Sequence, residues 1–340
     1  MEANPKPPPR WRTTLIQRRI NARVDQLRPQ RWNWYAIVRP LDRRIESQAD
    51  EPQTHEKIRS LRYFWLDGLF AAFSENFYLG FVSLFALAYG STIGEVGLVT
   101  AAGNLLGALS LFPGARLVER YGHRKSVVMW SGGGFGRIIL LAMAVFPFFV
   151  GQPALAIGLV ILLNGLRAFS GNLANPAWTS MIADLVPNTM RGRYFSSRNV
   201  AMGMAALLVA PLAGRIISAG NAWAASSVFG YRLVFFLAFA FGMVSTFAFQ
   251  RIAEPTMTEE EARPHQRGAL RRALRQQPAF VWLVISAFVW NMALQIAAPF
   301  FNVYMVEALG ATTTMVGLVA GVSSLTSLAG QRFWGQWLDK

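Results

Sequence analysis

Three charged residues, Glu75, Arg137 and Arg167, lie in the middle of stretches that are otherwise almost wholly apolar. A charge at the centre of a bilayer costs about 2.5–3.5 kcal/mol, so residues of this kind usually face an aqueous cavity or a partner of opposite charge. Counted at the rise of an α-helix, each lies roughly 17–21 Å from the end at which its stretch begins. The spacing therefore predicts that all three reach a similar depth near the middle of a membrane.

A pair formed by Glu75 with Arg137 or Arg167 would explain how these charges are tolerated, and two roles fit such a pair. In the first role it lines a translocation cavity, and a proton or an anionic substrate group that breaks the pair drives a switch between the two faces of the membrane. In the second role the pair is structural and only orients the helices. Asn76 and Asn164 likewise either bind a substrate by hydrogen bonds or bridge helices, which is the commoner use of such residues.

Other kinds of site find little support in the sequence. The chain has no Cys, and its three His residues are scattered singly, so we expect neither a disulfide nor a metal site. A glycine cluster at 132–136 lies inside an apolar stretch with no strand before it, which fails the context of a nucleotide-binding loop. No nucleophile has a base nearby. We therefore expect no enzyme, no cofactor and no metal.

Long apolar stretches dominate the chain, in which 53% of the 340 residues are hydrophobic and only 15% are charged. A helix that crosses a bilayer needs about 20 mostly apolar residues, and none of these stretches alternates with the period of a strand. The sequence therefore predicts an all-α, polytopic membrane protein. The eight predicted spans, numbered 1 to 8 in chain order, are 63–89, 94–113, 126–150, 153–178, 199–219, 231–250, 279–305 and 313–333.

Basic residues are distributed unevenly among the loops. The loops at 114–125, 183–198 and 251–278 hold 13 Lys and Arg, whereas the opposite loops hold Arg232 alone. Such asymmetry is the positive-inside pattern, so we expect a multi-pass protein of the cell membrane with a cytoplasmic N-terminus. The net charge of +15 would also suit a nucleic-acid partner, but the basic residues stand between apolar stretches, and membrane topology explains them better.

Composition divides the chain into four parts. Residues 1–62 form a basic tail, in which 15–27 could lie as a helix on the inner leaflet or belong to a solvated segment. Residues 63–250 hold the six spans of a first half. The polar stretch 251–278 reads as a cytoplasmic linker, and 279–340 holds the first two spans of a second half.

A shift of 220 residues aligns two segments of the chain without a gap. Residues 90–99 and 310–319 are identical at six of ten positions, and the register continues through a whole span into the next loop. Spans 7 and 8 therefore repeat spans 1 and 2. Two six-span halves related by an axis along the membrane normal are typical of one large class of transporters, which implies four further spans after residue 340.

The loop after span 2 reads Ala115-Arg116-Leu117-Val118-Glu119-Arg120-Tyr121-Gly122-His123-Arg124-Lys125, and this motif resembles one of the major facilitator superfamily. The family pattern is Gly-x-Leu-Ala-Asp-Arg-x-Gly-Arg followed by Arg or Lys, and in that family the loop latches the inward-facing gate. A second copy of the motif begins near the end of the chain. The residues to which the resemblance assigns this gate role are Ala115, Leu117, Glu119, Arg120, Gly122, Arg124, Gly335 and Asp339.

Two further segments resemble the same family. Span 4 reads Leu163-x-x-x-Arg167-x-x-Ser170-Gly171, similar to a family motif whose Arg is tied to proton coupling. Span 5 holds Pro211 and Gly214 where proton antiporters of the family have Gly-Pro-x-x-Gly-Gly. With Pro176 in span 4, these two residues are candidates for helix bends.

The resemblance implies a major facilitator bundle that lacks its last four helices. It further implies a secondary active transporter of a small solute that is coupled to protons and runs in the export direction, with only the solute, protons and lipid as partners. We expect a monomer. The alternative is a truncated relative that has kept the fold and lost transport, acting as a sensor or scaffold or surviving as a remnant.

Overall fold

A computed structural model describes residues 34–49, 54–255 and 276–338 of the chain, and every regular element within those residues is a helix. Backbone contacts divide the chain into two compact units, Met1–Arg44 and Ile45–Lys340. The helix Trp34–Glu46 begins in the first unit. The predicted surface helix at 15–27 and most of the predicted linker lie outside the described residues.

The second unit contains the spans, and they follow the predicted order. Among the described residues, seven helical segments are long and apolar enough to cross a membrane, whereas span 8 is a helix whose clearly apolar stretch is Thr313–Ser327. The helices are His55–Tyr78 and Val82–Leu87 (span 1), Ile93–Tyr121 (span 2), Arg124–Val128, Met129–Phe135, Gly136–Val145 and Phe146–Phe148 (span 3), Pro153–Leu185 (span 4), Arg191–Ala224 (span 5), Phe229–Gln250 (span 6), Pro278–Glu307 (span 7) and Thr313–Leu338 (span 8).

Both copies of the repeat start their helix in the same way. Gly90 and Gly310 have positive φ angles of 81° and 63°, the left-handed region that glycine adopts without strain. Two residues later, Thr92 Oγ1 accepts a 3.3 Å hydrogen bond from the Glu95 amide, and Thr312 Oγ1 accepts one of the same length from the Met315 amide. A threonine at this position satisfies an otherwise unpaired amide of the first turn. The repeat inferred from the sequence is therefore confirmed in local structure.

Among the helices that the structure describes, spans 2 and 4 make the most extensive contact. Gly103 and Gly107 of span 2 lie against Ala168 of span 4, and a Cβ atom at either position would touch that side chain. Small residues four apart let two helix backbones approach closely, which is how membrane helices gain packing energy. This contact holds the middle of span 4, and with it Arg167, in a fixed place.

Spans 5 and 8 form a second close contact through small residues. A Cβ atom added at Gly214 would collide with the backbone of Thr313, and Ser218 Oγ lies 2.8 Å from Thr313 Oγ1. Pro211 and Gly214 thus lie at a helix–helix interface within one continuous helix, and Pro176 lies within the continuous helix of span 4. Their proposed role as bends stays a prediction.

Candidate functional site

A cavity of about 310 Å³ opens among spans 1, 3, 4, 5 and 6. This volume is at the lower end of the range of small-molecule sites. Trp178, Phe249 and Met202 give it an apolar wall. The charged residues that line it are Asp67, Glu75, Arg137, Arg167 and Arg198.

Asp67 and Arg198 form an ion pair in the cavity wall, which sequence reasoning missed. Asp67 Oδ2 lies 3.9 Å from Arg198 Nη2, and its Oδ1 accepts a 2.6 Å hydrogen bond from Ser245 Oγ. The sequence left an interfacial role and a site role equally open for Asp67, near the inner end of predicted span 1, and placed Arg198 in the basic loop 183–198. The structure corrects the placement of Arg198. Span 5 begins at Arg191, so Arg198 lies two turns inside the helix and is 93% buried.

Aromatic rings hold the Arg198 guanidinium in place. Its central carbon lies 4.4 Å from the centre of the Phe64 ring and 5.8 Å from that of Trp178. A cation above an aromatic face is attracted by the ring quadrupole, and the attraction grows as water is removed. Spacing along the chain carried no signal for this pair, because Asp67 and Arg198 are brought together by folding across three intervening spans.

Arg137 and Arg167 both reach the cavity, as their common depth predicted. Arg137 Nη1 donates a 3.0 Å hydrogen bond to Ser74 Oγ, which in turn donates to the Ala238 carbonyl at 2.6 Å. Arg167 is 8% exposed and stacks over the Tyr78 ring at 5.5 Å. Its guanidinium has no hydrogen bond or ion pair with any described residue, and its Nε is fully buried.

Glu75 lines the same cavity but does not form the predicted ion pair. Its exposed carboxylate is not within ion-pair distance of Arg137 or Arg167 in the described part of the chain, although its charge acts on Arg137. The physical reason lies on its own helix. Ser74 and Tyr78 lie on the side of the helix that meets Arg137 and Arg167, whereas the exposed Glu75 side chain lies in the open part of the cavity, beyond ion-pair distance of either arginine.

The two candidate asparagines bond to helix backbones, and neither lines the cavity. Asn76 Nδ2 donates to the Ala72 carbonyl of its own helix at 2.8 Å, and Asn164 Nδ2 donates to the Val99 carbonyl of span 2 at 2.9 Å. Asn164 therefore bridges two helices, as the second interpretation allowed. Asn172 and Asn175, one and two turns beyond Arg167 and Ser170, line the cavity instead.

Glycines and a π-helix shape the wall next to the arginines. Met129–Phe135 forms the π-helix, and Gly132 and Gly133 within it line the cavity. Single π turns are frequent at functional sites because the extra residue redirects the side chains and carbonyls around it. Here the Ser131 carbonyl turns toward span 4 and accepts a 2.6 Å hydrogen bond from Ser170 Oγ. The glycine cluster in the sequence was the available signal for this wall.

Arg124 of the predicted gate motif makes three side-chain hydrogen bonds, one of them within an ion pair. It has no exposed surface, and its Nη1 donates to Asp184 Oδ2 at 2.5 Å and to Ser180 Oγ at 2.9 Å. Its Nη2 donates to the Pro255 carbonyl at 2.8 Å. Gly122 ends span 2 with a φ of 65°, which turns the chain toward Arg124.

The other residues of the predicted gate motif are less buried than Arg124 or lie in the second copy of the motif. Ala115 and Leu117 are half-buried on the last turns of span 2, and Glu119 and Arg120 are exposed there. Gly335 of the second copy falls within span 8, and Asp339 lies outside the described residues. The role of the motif as a gate stays a prediction. Among the described residues no group of three or more His, Asp or Glu is placed to hold a metal ion.

Comparison with known proteins gives one family and one fold. The family model described as Major Facilitator Superfamily matches residues 64–340. The crystal structure of a D-xylose–proton symporter superposes with a TM-score of 0.57 at 17% sequence identity, covering 84% of this chain and 69% of the symporter chain. At that identity the likeness concerns the fold alone. A search of curated proteins found no match.

Proposed function

Because the chain belongs to the major facilitator superfamily, we propose that this multi-pass membrane transporter is a secondary active carrier that couples a small solute to protons. The solute would bind in the cavity among spans 1, 3, 4, 5 and 6. Transporters of this class bind substrate near the middle of the bilayer, between helices that rock about the site.

One observation carries the proposal, namely that the cavity concentrates five charged side chains inside a bundle of apolar helices. Each such charge opposes insertion into the membrane, so a bundle that only needed to fold would not collect them in one open space. Charges that face a water-filled cavity between transmembrane helices mark substrate and ion pathways.

Asp67 is the carboxylate that we propose as the proton acceptor. It is 7% exposed and bonds to span 6 through Ser245 and to span 5 through Arg198. Protonation would neutralise Asp67 and remove its attraction to Arg198, so spans 1 and 5 would lose one electrostatic tie between them. Glu75, which is open to the cavity, is the second candidate.

The direction of transport is a separate matter. The partial match at Pro211 and Gly214 predicts export, whereas the protein of similar fold is a symporter by its title. Uptake into reconstituted vesicles that are more acidic inside or more acidic outside tests the two directions. Proton antiport, the mode of an exporter, drives uptake when the inside is acidic, and proton symport drives uptake when the outside is acidic.

The test is transport by the purified chain in proteoliposomes, screened over drugs, sugars and organic anions with and without a pH gradient. We expect uptake of at least one class to accelerate with the gradient. Asp67→Asn should abolish that acceleration and keep exchange of the solute across vesicles without a gradient. Glu307→Gln removes an exposed carboxylate at the end of span 7 and is the matched control.

Two results would refute the proposal. One is a wild-type protein that moves none of these solutes with either gradient. The other is an Asp67→Asn variant whose response to the gradient equals that of Glu307→Gln. Retained exchange in the variant shows that it has folded, so a lost gradient response is then assigned to the proton site.

A further inference from the structure

We propose that the cavity selects a small organic monoanion, whose carboxylate-type headgroup binds between Arg137 and Arg167 and whose apolar body lies toward Trp178. This inference rests on the proposed function, because it takes the cavity as the solute site. It names a class of substrate that neither the family nor the similar fold implies.

The first step is the charge of the cavity. Three arginines and two carboxylates line it, and the remaining lining residues are neutral, which leaves one formal positive charge. Asp67 and Arg198 compensate each other at 3.9 Å. The excess charge therefore lies with Arg137 and Arg167, against the single carboxylate of Glu75. A monoanion neutralises this set, whereas a cation would add to its charge.

The second step is whether the hydrogen-bond donors of Arg137 and Arg167 have acceptors in the protein. A guanidinium has five N–H donors and no acceptor. Arg167 is more than nine-tenths buried and donates to no described residue, and Arg137 donates only to Ser74 Oγ. A buried cation without acceptors is costly, so a site that holds one such arginine beside a second with a single acceptor is best completed by a group with several acceptor oxygens. A carboxylate meets this need, because its two oxygens match the fork of an arginine.

The third step is the space around these donors. Gly171 stands one turn from Arg167, and a Cβ atom there would lie 3.0 Å from Arg167 Nη1. Gly132 and Gly133 face the same cavity from span 3. The absence of side chains at these positions leaves the guanidinium groups open to a ligand. Trp178, Phe249 and Met202 also line the cavity and are suited to an apolar body of the same molecule.

The role of Glu75 follows from the same arrangement. Its carboxylate is the negative charge in the cavity that no arginine pairs with, so it repels an incoming anion. Removal of this charge should strengthen anion binding, and removal of a charge from Arg167 should weaken it. A purely structural role for these residues does not predict effects of opposite sign.

The experiment measures binding calorimetrically with the full chain in lipid nanodiscs at one fixed pH. The probes are acetate, hexanoate and benzoate, each compared with its neutral amide. We expect at least one acid to bind about tenfold or more tightly than its amide, because a charge-assisted hydrogen bond is replaced by a neutral one. Arg167→Gln should weaken that acid about tenfold, and Glu75→Gln should strengthen it about threefold or more.

Arg215→Gln is the matched control, since it removes the same charge from an exposed position of span 5 outside the cavity. Its affinity should equal that of the wild type. A further variant, Arg167→Lys, keeps the charge and loses the fork, so its affinity should lie between those of wild type and Arg167→Gln.

The inference is overturned if no acid binds more tightly than its amide, or if Arg167→Gln and Arg215→Gln bind the acid equally. Proteoliposomes separate this failure from that of the proposed function. Gradient-driven transport of neutral solutes without any preference for acids would overturn the inference and leave the function intact. Acid binding with the expected signs in Arg167→Gln and Glu75→Gln supports the inference even where no transport occurs.

Discussion

Two buried arginines of this protein have opposite surroundings. Arg124 lies at the end of the bundle predicted to be cytoplasmic. Its two Nη atoms donate hydrogen bonds to Asp184, Ser180 and the Pro255 carbonyl. Arg167, in the middle of span 4, stacks on the face of Tyr78 and donates no hydrogen bond to any described residue. Both are more than nine-tenths buried, so burial alone does not distinguish them.

The two arginines differ in whether the protein supplies hydrogen-bond acceptors for the guanidinium group. At Arg124 the protein supplies them from span 4 and from the segment after span 6, so the side chain ties three parts of the fold together. At Arg167 the space beside the guanidinium is left to a cavity with glycine walls. Arginine is therefore used once as a structural tie and once as a site that a ligand completes. Four experiments test this distinction, in order of their expected effect on stability.

Arg124→Gln should cause the largest loss, about 3 kcal/mol, because it leaves the Asp184 carboxylate without its cation. The measurement is the midpoint of thermal unfolding in detergent, followed by intrinsic fluorescence. Arg116→Gln, in the same motif at an exposed position, is the control and should leave the midpoint unchanged. Asp184→Asn should restore part of the loss in the double variant. An unfolding midpoint of Arg124→Gln equal to that of Arg116→Gln would remove the structural side of the comparison.

Ser74→Ala should have an intermediate effect, about 1 kcal/mol, because it removes the one hydrogen bond that Arg137 makes within the described chain. Ser324→Ala loses only a bond to its own helix and serves as the reference in the same unfolding assay. If both variants unfold at the same temperature, the Ser74 contact does not stabilise the fold, and Arg137 is held no more firmly than Arg167.

Gly171→Ala and Gly158→Ala form a matched pair on span 4. Alanine favours a helix over glycine by up to about 1 kcal/mol, and nothing lies within 4 Å of a Cβ at Gly158, so that variant should be slightly more stable than wild type. A Cβ at Gly171 pushes against Arg167 Nη1. Gly171→Ala should gain less stability and bind the acid probe more weakly. Equal stability gains with unchanged binding in both variants would show that Arg167 needs no space there.

Arg167→Met should have the smallest effect on stability, within about 1 kcal/mol of wild type or above it, because replacing an unpaired buried cation with an apolar side chain relieves desolvation. Binding of the acid probe should be lost in the same variant. A loss of stability comparable to that of Arg124→Gln would break the comparison, since it would make Arg167 a structural tie as well.

Much of the fold could be predicted from the sequence, because the signals for it are local. Apolar stretches of span length, basic loops and turn residues such as Gly122 report on the segment that contains them. The repeat at 90–99 and 310–319 is local in the same sense, since each copy forms its own left-handed glycine and threonine cap. The common depth of Glu75, Arg137 and Arg167 followed from the regular rise of a helix.

The pairing of the charges was not predictable in this way. Depth places a residue along a helix axis, whereas contact also depends on rotation about that axis and on the reach of the side chain. Ser74 and Tyr78, beside Glu75 on the same helix, meet the arginines that Glu75 was expected to meet. Arg198 pairs with Asp67 from a position that the sequence predicted to lie in the loop 183–198.

The sequence by itself determined that this chain has several helices apolar enough to cross a membrane, repeats a segment that starts a helix 220 residues later, and carries charges in the middle of apolar spans. The reason is that hydrophobic length, caps and helical rise act over a few neighbouring residues. Only the tertiary structure decided which of those charges are compensated and which face open space. Compensation depends on side-chain geometry within a few ångströms across spans, and that geometry is set by how five helices pack against one another.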